Sequence, residues 1–168
     1  MRIAVTDACI FIDLHDLKLT NLLFSLEIDI HTSFDVYMEL YPIQRDILSA
    51  FHSVGKFSIH NLSAEDRISI QKRNYPNALS ENDKTVVFLA EKIDAMILSS
   101  DKAVRLCAKK RAIEYHGMLW VLDKLVEYAL LSPLDAANKL ELLIRTNMIY
   151  QNNVELVTEM EKRLKIWK

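Results

Sequence analysis

Residues 79–122 read LSENDKTVVFLAEKIDAMILSSDKAVRLCAKKRAIEYHGMLWVL. An apolar pattern of helical period over SENDKTVVFLAEK is followed by the short apolar run DAMILSS, which is strand-like in length. A second helical pattern, DKAVRLCAKKR, leads to a brief strand, AIEY, and then to GMLWVLDKLVEYALL, which is helical again. Strands that alternate with helices predict right-handed crossovers and a mostly parallel sheet covered on both faces. The expected fold class is therefore α/β, a three-layer α/β/α arrangement.

The same alternation extends towards the amino terminus. RIAVTD predicts a buried strand ending at Asp7, followed by one helix over residues 8–26. IDIHTS is a second strand, and residues 34–52 form a helix broken at Tyr41-Pro42, because proline disfavours helix in the residue before it. KFSIHNL is a third strand and SAEDRISIQKR a polar helix, while NYPNA is the clearest loop. Beyond Ser132-Pro133 come two more helices, over LDAANKLELLIRT and NNVELVTEMEKRLKIW. The expected organisation is a core domain over residues 1–131 and a helical extension over 132–168, packed on the same body.

Composition narrows the chemistry. A chain of 168 residues, 51% hydrophobic and 26% charged, is long enough to bury a real core as one domain. Net charge is −2, so affinity for nucleic acid must come from a local patch or a bound metal. Two glycines, Gly55 and Gly117, are too few and too far apart for a dinucleotide fingerprint or a phosphate-binding loop. No serine sits in a nucleophile elbow. Cys9 and Cys107 have no metal or redox spacing and read as core thiols in a reducing cytoplasm. No signal peptide and no membrane span are expected, because Asp7 interrupts the first apolar run and no later run is long enough. The chemistry that remains is that of carboxylates.

Ligands of open parallel sheets bind beyond the carboxyl ends of the strands. Asp7 follows the first strand and Asp101 follows AMILSS. Glu39 lies early in the helix after the second strand, and Asp83 lies in the first turn of the helix after NYPNA. Four acids are thus expected at one rim, where mutual repulsion makes sense around a hard divalent cation such as Mg²⁺ or Mn²⁺. Each also has an ordinary reading. Asp7 and Asp101 can cap their helices, and Asp83 completes a near capping box with Ser80. Asp35 and Glu27 are local alternatives to Glu39, while Asp13 and Asp16 add charge with no assigned role.

The succession of strand and Asp7, VYMEL with Glu39, LSENDKTVVFLA with Asp83, and MILSSDKAVRLCAKKRAIEYHGMLWVL with Asp101 resembles the PIN domain. The resemblance covers about residues 1–131, and the two helices after it exceed the usual family length. It implies a small metal-dependent ribonuclease in which Asp7, Glu39, Asp83 and Asp101 hold one or two Mg²⁺ or Mn²⁺ ions for hydrolysis of an RNA phosphodiester. Many members are toxins of toxin–antitoxin pairs, so a small antitoxin protein is an implied partner. A second reading is a catalytically silent PIN-like module that binds RNA or protein. Receiver and haloacid-dehalogenase-type folds fit less well. The former expects an acidic pair where AVTDA has one acid, and the latter expects an aspartate where Cys9 stands.

Two further patterns carry expectations. Lys102, Arg105 and Lys109 recur at intervals of three and four beside Asp101, which places them on one helix face where they can hold RNA phosphates. The alternative is a solvated basic face. Val154, Val157, Met160, Leu164 and Trp167 form an apolar stripe expected to dock on the protein's own body, with a partner or a second copy in a homodimer as the other possible occupant.

Overall fold

The computed structural model describes residues 1–168. Five strands, β1 (Arg2–Thr6), β2 (Ile28–Ser33), β3 (Phe57–His60), β4 (Met96–Leu98) and β5 (Tyr115–His116), form one sheet in the order β3-β2-β1-β4-β5. Every pairing is parallel. The chain therefore winds outward from β1 in both directions, and the switch point lies between the carboxyl ends of β1 and β4. Helices α1 (Ala8–Asp16), α2 (Thr20–Leu23), α3 (Phe34–Glu39), α4 (Pro42–Ser53), α5 (Ala64–Lys72), α6 (Glu81–Lys92), α7 (Lys102–Lys110) and α8 (Met118–Glu127) connect the strands and cover the sheet. The expected three-layer α/β class is the one observed, with an entirely parallel sheet.

The break at Tyr41-Pro42 falls between α3 and α4, with Pro42 in the first turn of α4, where a missing N–H costs nothing. Other boundaries differ from the sequence expectation for one shared reason. The helix expected over 8–26 is two helices, because Lys18 adopts a left-handed conformation (φ 58°) and the Leu19 N–H closes back on the Leu14 carbonyl. That closure is the left-handed helix stop for which glycine is the usual signal. Asp94, Ala112 and Ala129 end α6, α7 and α8 in the same way, with φ of 52°, 57° and 56°. Their left-handed turns consume residues at the start of the strands expected over 94–100 and 112–115, and at the end of the helix expected to 131. Hence β4 is only Met96–Leu98, β5 slides to Tyr115–His116, and α8 stops at Glu127. Gly55 and Asn74, after α4 and α5, do mark such a stop by residue type.

After α8 the chain forms α9 (Pro133–Thr146), a single 3₁₀ turn (Met148–Tyr150) and α10 (Val154–Trp167). Ala136, Ala137, Leu140, Leu143, Tyr150, Met160 and Trp167 join the same continuous hydrophobic cluster as the strands. The stripe on α10 turns inward at Met160 and Trp167 and is half-buried at Val157 and Leu164, while Val154 is exposed. Arg163 of α10 also grips Asp123 of α8 through two hydrogen bonds of 2.8 Å. The extension docks on the protein's own body. No helix is long and apolar enough to cross a membrane.

Candidate metal centre

Asp7 ends β1 at the switch point. Its Oδ1 accepts the Ala8 N–H at 2.8 Å, so the residue caps α1 as its position suggested. Its Oδ2 accepts the Ser99 hydroxyl, also at 2.8 Å. The Ser99 oxygen in turn accepts the Asp101 N–H at 3.1 Å, so one buried hydroxyl couples two acids that are far apart in sequence. Asp101 caps α7, its Oδ1 accepting the Val104 N–H at 3.0 Å. Strand pairing holds this corner rigid: the Asp7 N–H donates to the Leu98 carbonyl at 2.9 Å, and the Thr32 hydroxyl donates to the Thr6 carbonyl at 2.8 Å.

Glu39 and Asp83 approach from the other side. Ser80 and Asp83 form a complete capping box at the start of α6, the Ser80 N–H donating to Asp83 Oδ2 at 2.9 Å and the Asp83 N–H to Ser80 Oγ at 3.1 Å. Ser33, at the end of β2, caps α3 by accepting the Val36 N–H. Its hydroxyl lies 2.7 Å from that of Thr85 in α6, whose proton goes to the Asn82 carbonyl. Both hydroxyls are buried, and they fix the helix carrying Glu39 against the helix carrying Asp83. Replacing Ser80 with alanine should lower stability by about 1 kcal/mol, the usual loss for such a cap. At this chain length the melting temperature should fall by about 2–4 °C. A fall much larger than this in a thermal melt would mean that Ser80 carries more than the cap.

Electrostatics join the groups. Burial pushes the Asp7 carboxyl up from 3.8 to about 6, opposed by the Ser99 hydrogen bond, and the charges of Asp83 and Glu39 raise it further. Glu39, at the exposed end of α3, is also raised, first by desolvation and then by Asp83, with the neighbouring Asn82 amide acting against the shift. None of Asp7, Glu39, Asp83 and Asp101 forms a salt bridge, whereas Asp35, Asp66, Glu91 and Asp123 all do. The two alternatives to Glu39 are placed differently. Asp35 is held by Arg67 through two hydrogen bonds of 2.9 and 3.0 Å, and Glu27 precedes β2 at the opposite edge of the sheet.

The donor set suits a hard cation: carboxylate oxygens, unpaired with any basic side chain, at least three of them within electrostatic reach of one another. As the side chains stand, no three of the chain's acidic, histidine or cysteine groups converge closely enough to hold an ion. Asp83 spends Oδ2 and Asp101 Oδ1 on their own helix caps, which leaves the second oxygen of each carboxylate for a shared ligand.

Beside Asp101 opens a groove of about 820 Å³ between α7, β5, α8 and α10. Lys102 and Lys109 are exposed on its α7 wall. Arg105 is half-buried and more committed: it donates to the Ser99 carbonyl at 3.1 Å and lies over the Tyr115 ring, 4.9 Å from its centre. Cys9 is near the acids, but burial and the Asp7 charge push its thiol up to about 12, which keeps it protonated. Cys107 is buried, as a core thiol should be. His116 stacks on Trp120 at 4.4 Å between ring centres and lines the groove.

Several contributing residues escaped sequence reasoning. Ser99 and Ser33 are buried hydroxyls whose roles depend on partners 92 and 52 residues away. The one available signal was a polar pair, Ser99-Ser100, ending an otherwise apolar strand.

The fold and its rim define a class: a three-layer parallel α/β protein with unpaired carboxylates gathered at the switch point of its sheet. A family model for the PIN domain matches residues 3–163, and the chain belongs to that family. The match runs through α9 and into α10, so it takes in most of the helical extension. No curated protein matches the chain significantly. PIN domains are in general nucleases that depend on divalent metal ions.

Proposed function

We propose that this protein is an endoribonuclease that depends on Mg²⁺ or Mn²⁺, with Asp7, Glu39, Asp83 and Asp101 as the metal-binding and catalytic acids. The observation that carries this reading is the state of Asp7: a buried carboxylate at the sheet's switch point, facing two further acids, with a hydroxyl and no cation for support. When bound, a divalent ion supplies a water of lowered pKa and stabilises charge developing on a phosphodiester. The chain's own part is to hold acidic oxygens on fixed elements. Asp7 is locked by strand pairing and Ser99, Asp83 by its capping box, and Glu39 by the Ser33–Thr85 contact behind it. Lys102 and Lys109 would steady RNA phosphates beside Asp101, and Arg105 would brace the turn that carries it.

Family membership supports the nuclease reading, and because many PIN domains are toxins we extend it to a toxin restrained by a small antitoxin protein. The test is cleavage of single-stranded RNA by the purified protein with Mn²⁺ or Mg²⁺, followed by excess chelator. Cleavage that appears with metal and stops with chelator supports the proposal. Undiminished cleavage in chelator would overturn it, and binding of RNA without cleavage under any metal would favour the silent module instead.

The lysine assignment has its own check. Each phosphate contact to a single strand contributes a slope of about −0.7 to the dependence of log affinity on log salt concentration. The double change Lys102→Ala and Lys109→Ala should therefore weaken RNA binding and flatten that slope by ~1.4. An unchanged slope would make these lysines a solvated face.

A further inference from the structure

We infer that the carboxyl-terminal extension is part of the metal centre's architecture, with Tyr150 as a positioning residue that sets the Ser99-Ser100-Asp101 turn. This rests on the reading of the rim acids as a metal site and assigns a role to residues that reading does not use.

Tyr150 ends the 3₁₀ turn between α9 and α10 and is 2% exposed, so its hydroxyl must find partners inside the protein. It donates to Oδ2 of Asp13 at 2.9 Å and lies 3.0 Å from the Ser100 hydroxyl. With the tyrosine's one proton directed to a carboxylate, Ser100 is the donor in the second contact. Asp13 is itself buried in α1, and its other oxygen accepts the Asn147 side-chain amide at 3.1 Å. The acid that had no role in the sequence is thus the anchor that receives the extension.

The anchor reaches the rim by a short route. Ser100 is flanked by Ser99, which bonds both Asp7 and Asp101, and by Asp101 itself. The Ser100 N–H also donates to Cys9 Sγ at 3.3 Å, which leaves the side-chain hydroxyl as the turn's tie to the extension. A polar path therefore runs from Asp13 through Tyr150 and Ser100 to the turn that carries Asp101 and holds Asp7 through Ser99. Buried polar paths of this kind fix one arrangement because every member has few alternatives. Partners that orient a metal's ligands alter affinity without touching the ion.

The test is a double-mutant cycle on Ser100→Ala and Tyr150→Phe, read by calorimetric titration of the full-length protein with Mn²⁺ and by thermal melts of the metal-free forms. Each single change should weaken Mn²⁺ binding by roughly 10-fold, the lower end of what loss of an orienting partner costs. The pair together should be no worse than the more harmful single change, because both delete the same hydrogen bond. Wild-type binding with unaltered affinity in Ser100→Ala, or losses that multiply in the double variant, would overturn the inference and leave the metal reading standing. A wild-type protein that takes up no Mn²⁺ would overturn both. If Tyr150→Phe does not fold, Ser100→Ala alone decides, since it leaves the Asp13–Tyr150 anchor in place.

Discussion

Replacing Asp7 with asparagine should abolish metal-dependent RNA cleavage while leaving the fold intact. Asparagine still offers an oxygen to the Ala8 N–H, so the cap of α1 survives, and it can share a hydrogen bond with Ser99. What it lacks is the negative charge at the most buried of the rim acids. Losing an orienting partner of a metal site costs about 10–100-fold, so losing an anionic ligand should cost about 100-fold or more. Asp83→Asn and Asp101→Asn should act in the same direction, because each keeps its backbone contacts and loses only charge. The measurement is a single-turnover cleavage assay on variants whose melts confirm folding. Full activity in folded asparagine variants would reduce the acids to helix caps.

The second large effect is on stability, and it has the opposite sign. A folded-state pKa of about 6 for Asp7, above its ordinary 3.8, means that the folded protein holds this proton more tightly than the unfolded chain does. Stability from this group is therefore highest at low pH, declines as pH rises between these two values, and carries its full penalty above the upper one. The ceiling on that penalty is about 3 kcal/mol, from about 1.4 kcal/mol per unit. Asp7→Asn removes the charge, so the metal-free variant should melt higher than wild type at pH 7. The gain should vanish near pH 4, where the wild-type carboxyl is largely protonated as well. It should fall short of the ceiling, because Ser99 must turn its hydroxyl from donor to acceptor. A variant that melts lower than wild type at pH 7 would show that the carboxylate is stabilising as it stands. The same sign predicts that protons compete with metal at Asp7, so Mn²⁺ affinity should fall as pH drops through about 6.

Much of this architecture was legible from periodicity. Alternating strand and helix patterns produce a parallel sheet, and acids that directly follow strands must gather at its carboxyl edge. Asp7 and Asp101 were found in that way, and Tyr41-Pro42 marked a helix boundary through a local steric rule. The missed boundaries share a cause that sequence hides. Lys18, Asp94, Ala112 and Ala129 take left-handed conformations that their residue types do not signal, while their neighbours Leu17, Leu19, Ala95, Ile113 and Leu130 pack into or against the core. The supporting hydroxyls were invisible for a different reason. Ser33, Ser99 and Ser100 are common polar residues in a sequence, and their meaning depends on which distant group folding delivers to them. Asp13 is the sharpest case, since its partners Asn147 and Tyr150 lie 134 and 137 residues away.

The central claim is that unpaired acids at the switch point make a site for a divalent cation. Calorimetric titration of Mn²⁺ into the metal-free wild-type protein at pH 7.5, with Asp7→Asn as the comparison, tests it most directly. Saturable binding by the wild type, lost or weakened by about 100-fold in the variant, is the predicted result. Wild-type protein that binds no Mn²⁺ at millimolar concentration, or a variant that binds it equally well, would contradict the claim.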